Sequence, residues 1–133
     1  MLKMVLAGCG LVCSLAVAAA AADMQLSLEK AGMYIALGQE AKAMDVYARL
    51  IAAEPQNIRN YESRAFYFLR LNRLEEALTD FTTILAIDPK YSAGYMSRGL
   101  VYNRLGQQER ADADYAAACR LGDAGGCSFA KGE

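Results

Sequence analysis

The chain has 133 residues, 55% of them apolar, with a formal charge of -1 and no histidine. Such a composition is too apolar for a disordered chain and too weakly basic for nucleic-acid binding by charge alone. The missing histidine removes the commonest general base and metal ligand. The apolar content is uneven. Residues 1–22 hold 18 apolar residues and one charge, Lys3, whereas residues 23–133 hold 13 basic residues, 15 acidic residues and every aromatic.

The leader reads MLKMVLAGCGLVCSLAVAAAAA: a short positive start, an apolar run and an alanine tract ending at Asp23. This is the layout of a secretory signal peptide, and cleavage after Ala20 or Ala22 meets its small-residue rule. The run 4–22 is also just long enough to remain as a membrane anchor, although its alanine-rich second half drives insertion weakly. Leu6-Ala7-Gly8-Cys9 looks like a bacterial lipobox with Cys9 as the lipidated residue. Only eight residues precede Cys9, however, and the apolar run continues past it. The expectation is a periplasmic or secreted protein. The alternative is a membrane-held one, through a retained leader or a lipid on Cys9.

The rest of the chain repeats at a spacing of 34 residues. Pro55 and Pro89 are one pair at that spacing; Ala43, Ala77 and Ala111 form a column, as do Tyr47, Phe81 and Tyr115. Tyr34, Phe68 and Tyr102 form another, followed by Ala31, Ala65 and Gly99, by Gly38, Asn72 and Gly106, and by Lys30, Arg64 and Arg98. Each unit predicts two helices. In the second, apolar residues recur at Tyr61, Ala65, Phe68 and Leu69, then at Leu74, Ala77, Leu78, Phe81, Ile84 and Leu85, the i, i+3, i+4 pattern of amphipathic helices. Asn72 suits a left-handed turn between them. Asp88-Pro89 ends the second helix, since proline disfavours helix in the residue before it and cannot continue one. The third unit has Gly122 where a closing Asp-Pro is expected.

The period, the alternating small and aromatic columns and the closing Asp-Pro resemble the tetratricopeptide repeat (TPR) family. Tyr61 to Pro89, with Leu74-Glu75-Glu76-Ala77 and Ile87-Asp88-Pro89, matches the pattern well. Ser27 in the first unit, where Tyr61 and Tyr95 stand in the others, and the missing third proline depart from it. The resemblance implies an all-α, right-handed superhelical solenoid of three helix pairs, at 24–57, 58–91 and 92–125, with a short tail at 126–133.

The basic column has a structural explanation. Asp80 and Asp114 recur on the second helices, so Arg64–Asp80 and Arg98–Asp114 pairs are expected within units two and three, while Lys30 meets Val46 instead. A charged track for a ligand is the competing reading. Beyond the leader, Cys119 and Cys127 remain, on either side of a glycine-rich reversal. In an exported protein an even pair suggests a disulfide, worth roughly 2.5 kcal/mol in the loop-entropy model. The segment also resembles the cysteine-bridged relatives of the TPR. A redox-active pair and a metal site are the rival readings. Redox pairs usually have two intervening residues, and two thiols without histidine make a poor metal site.

No histidine is present to activate a nucleophile, no phosphate-binding loop is found, and no cofactor is implied. The expectation is a non-enzymatic interaction protein that binds a protein or peptide partner, with self-association also expected because neither end carries a full polar cap. The resemblance implies a concave groove lined by first helices. Its residues would be Gln25, Leu28, Gly32, Ile35 and Ala36 in unit one; Arg59, Glu62, Phe66, Leu69 and Arg70 in unit two; and Ala93, Met96, Leu100, Asn103 and Arg104 in unit three. Some of these are expected only to pack against the next unit. Leu28 and Gly32 stand where a TPR carboxylate clamp would begin, which argues against that specialised mode.

Overall fold

The computed structural model describes residues 27–130, which form seven α-helices and no strand. The leader, Cys9 and Gln25 lie outside the described residues. No described helix is long and apolar enough to cross a membrane. The residues fall into two compact units that divide between Ala53 and Glu54.

The first unit contains α1 (27–36) and α2 (Glu40–Ala53). Ala31 and Ala43 are fully buried and Val46, Tyr47 and Leu50 nearly so, and the Lys42 ammonium lies 5.5 Å from the centre of the Tyr34 ring. The second unit contains α3 (Ile58–Arg70), α4 (Leu74–Ile87), α5 (Ser92–Arg104), α6 (Gln108–Arg120) and α7 (Ala124–Ala130). Each of these helices packs on the next in the chain. The 34-residue columns form its interior: Ala65, Ala77 and Ala111 are fully buried, and Phe68, Phe81 and Tyr115 nearly so.

One turn geometry is used four times. Gly38, Asn72, Gly106 and Gly122 have φ values of 69°, 57°, 75° and 92°. Each donates its N–H three residues back, and the following residue donates five residues back, as in Arg73 N–H to Phe68 O at 2.9 Å and Asp123 N–H to Ala118 O at 3.0 Å. These are Schellman caps, which satisfy the last helical carbonyls and turn the chain sharply. The connections at Pro55 and Pro89 are different. Asn57 caps α3 by accepting from Arg59 N–H at 3.1 Å, and the Asp88 carboxylate accepts from Lys90 N–H at 3.0 Å.

The end of the chain is more regular than its glycines suggest. The described part of the tail expected at 126–133 is helical, in a helix that begins at Ala124 and runs through Gly125 and Gly126. The Asp123 carboxylate caps it by accepting from Gly126 N–H at 2.8 Å.

Candidate partner-binding face

Both expected Arg–Asp pairs form. Arg64 meets the buried Asp80 carboxylate through two donors, Nε at 2.9 Å and Nη2 at 2.6 Å. Arg98 holds Asp114 in the same way, at 2.8 Å from each nitrogen. The hydrogen bonds to the carboxylates hold both guanidinium groups above their ordinary pKa. Each guanidinium also lies beside the aromatic ring four residues on, 5.8 Å from the centre of Phe68 and 5.7 Å from that of Tyr102. The two arginines of the column are therefore engaged inside their own helix pairs. In the first unit Val46 occupies the corresponding buried place.

The first helices of the second unit, α3 and α5, are linked side by side at both ends. Tyr91, the N-cap residue of α5, donates its hydroxyl to the Glu62 carboxylate at 2.8 Å, which raises the phenol's pKa. At the other end Arg104 donates to the Asn72 side-chain oxygen at 3.0 Å, in the turn after α3. The two helices thus run in the same direction with a fixed offset.

Between these links lies an apolar centre. Phe66 and Leu100 occupy the same position in consecutive repeats, and each is 46% exposed. The Phe66 ring is anchored edge-on to Phe81, at 5.6 Å between centres and 76° between planes, so its solvent-facing part is held in place. Leu69 and Met96 are half-buried; Arg59, Arg70, Asn103 and Arg104 are exposed. Ala93 is half-buried at the start of α5. Leu28 and Ile35 belong to the first unit, where both are half-buried and Gly32 and Ala36 are exposed.

Two of the residues read as groove contacts therefore also hold the repeats together: Glu62 through Tyr91 and Arg104 through Asn72. Tyr91 was not among the expected site residues. Its counterpart in the preceding repeat is Asn57, a different kind of cap, so periodicity carried no signal for it. Cys119 and Cys127 face each other across the α6–α7 turn with Cα atoms 4.4 Å apart and sulfurs at bonding distance. Among the described residues no cluster of His, Cys, Asp and Glu is arranged to hold a metal.

Comparison with known proteins agrees with this architecture. Residues 92–121 match the family model of the tetratricopeptide repeat. The Arabidopsis OM64 TPR domain is similar, with a TM-score of 0.67 at 27% identity over 81% of this chain and 91% of that one. The second TPR domain of human RPAP3, solved in complex with the HSP70 peptide SGPTIEEVD, has a TM-score of 0.66 at 25% identity over 79% of this chain and 89% of that one. A tetratricopeptide repeat protein from Parabacteroides merdae has a TM-score of 0.68 at 24% identity, over 76% of this chain and 40% of that one. No curated protein matches this chain.

Proposed function

We propose that this chain, an all-helical protein of tetratricopeptide-repeat type, is a non-enzymatic interaction module of a bacterial periplasm or cell envelope. It holds a peptide or helix of a partner protein across the face formed by α3 and α5. The observation that carries the reading is the repeated exposure of Phe66 and Leu100 at one register position, with Arg59, Arg70 and Arg104 around them. Large apolar side chains held at a surface and rimmed by charge suit a linear protein segment. The likeness to the human RPAP3 domain, which was solved with a short peptide, supports that class of ligand. A terminal-carboxylate clamp is not part of the reading, because Leu28 and Gly32 stand where it would begin.

The leader and the two remaining cysteines support export, and the Cys119–Cys127 bridge belongs to that proposal. A membrane-tethered form, serving as an envelope assembly factor, is favoured by the single motif Leu6-Ala7-Gly8-Cys9. Intact mass after cell fractionation separates the two. A soluble species starting at Ala21 or Asp23, lighter by two hydrogens than the free dithiol, supports the first. A diacylglyceryl adduct on Cys9 supports the second. The binding face is tested by the Phe66→Glu and Leu100→Glu variants. Each loses the partners that the parent protein captures while keeping its helical signal; capture that is unchanged in both refutes the face.

A further inference from the structure

The seven residues of α7, AGGCSFA, make an unusual helix. A helix this short does not persist in water, and its two glycines weaken it further. The Asp123 cap starts it, and three further features hold it against α6. Gly126 lies directly on α6: a methyl group built on it would sit 2.7 Å from the Ala118 Cβ, 2.8 Å from the Cys119 nitrogen and 2.9 Å from the Tyr115 oxygen. Phe129 stacks on Tyr115 with ring centres 5.1 Å apart. The Cys119–Cys127 pair ties the two helices covalently. At Gly125 α7 also reaches the candidate face, where a methyl group would lie 3.4 Å from the terminal carbon of Met96.

We infer that α7 is the end wall of the α3–α5 binding face, kept in place by the Cys119–Cys127 bridge and released when a dithiol reductant opens it. The consequence for binding rests on the reading of that face proposed above; the release of α7 does not. The chemistry is thiol–disulfide exchange. A thiolate of the reductant attacks one bridge sulfur, the Cys–Cys bond breaks and a mixed disulfide forms. The reductant's second thiol then displaces that cysteine. Two electrons and two protons end on Cys119 and Cys127, and the reductant leaves as its own disulfide. Without the cross-link, the Asp123 cap, one aromatic stack and one glycine contact remain to hold a two-turn helix. Its departure uncovers Tyr115 and Ala118 and removes the neighbour of Met96.

The test uses the purified chain with and without dithiothreitol, with reduction verified by the gain of two hydrogens in mass. Amide exchange over 124–130 is followed by mass spectrometry. The methyl resonance of Met96, assigned by its absence in Met96→Leu, is followed by NMR. Reduction is expected to speed exchange over 124–130 on the order of 50-fold, the loop-closure effect of so short a cross-link. The Met96 methyl moves and exchange in α3 to α5 stays slow. Cys127→Ser reproduces the reduced pattern without reductant. Unchanged exchange over 124–130 with both thiols free overturns the inference, as does a purified, air-oxidised protein whose two thiols remain free. A Met96 methyl that stays still while α7 exchanges freely overturns its role as the wall. Neither readout involves a partner, so a failure of the binding proposal shows separately, in the Phe66→Glu and Leu100→Glu captures.

Discussion

At the scale of single residues, the second unit is organised by buried charge pairs and by hydroxyl and amide contacts between repeats. Asp80 is only 2% exposed, and its two partners are both nitrogens of Arg64. Removing one member of such a pair leaves an uncompensated charge, whereas removing both does not. Arg64→Ala is therefore expected to cost about 3 kcal/mol in urea unfolding. The Arg64→Ala, Asp80→Ala double variant should cost less than the sum of its single variants. The Tyr91–Glu62 bond has a pH signature. The bond favours the protonated phenol, so the folded state raises the Tyr91 pKa above its ordinary value of 10.0. Its stabilising effect is complete below that value and is lost as the pH rises through the folded pKa. Unfolding measured from pH 8 to 11.5 should show an alkaline loss of stability that is smaller in Tyr91→Phe. Equal profiles for the two proteins would separate the bond from stability.

At the scale of elements, the sequence columns and the structure meet closely in the turns and at the helix contacts. Asn72 and the glycines at 38 and 106 take the left-handed turns that their spacing predicts, and the alanine columns are buried. Glycines that look alike in sequence nonetheless differ in role. A methyl group on Gly99 would lie 2.7 Å from a Tyr115 ring carbon, whereas one on Gly32 meets nothing within 4 Å. Gly99→Ala should destabilise by about 1–2 kcal/mol, as overpacking outweighs the gain in helix propensity. Gly32→Ala should stabilise by about 0.5–1 kcal/mol. Thermal unfolding of the two variants checks the opposite signs. What stayed hidden has a common cause. The Tyr91–Glu62 and Arg104–Asn72 bonds join side chains 29 and 32 residues apart, so they depend on the offset between stacked repeats, which no single helix pattern encodes. The helix α7 was masked by its glycines. They lower its propensity but allow the backbone contact with α6 that forms it.

At the scale of the whole molecule, charge is sorted between the helices of the second unit. The first helices, α3 and α5, carry Arg59, Arg64, Arg70, Arg98 and Arg104 with one carboxylate, Glu62. The second helices, α4 and α6, carry Glu75, Glu76, Asp80, Glu109, Asp112 and Asp114 against Arg110 and Arg120. With the two buried pairs formed, a surplus of positive charge remains on the helices that also expose Phe66 and Leu100. On the function proposed above, such a surface would favour acidic segments with an apolar anchor. The most direct measurement places a photoreactive residue at Leu100 in cells, with the same residue at the exposed Thr82 of α4 as the comparison. The account predicts that Leu100 gives a small, recurring set of protein adducts, joined through acidic segments and reduced by added salt, while Thr82 gives none of them. The same adducts from both positions, or none from Leu100 while Thr82 gives a defined set, would contradict it.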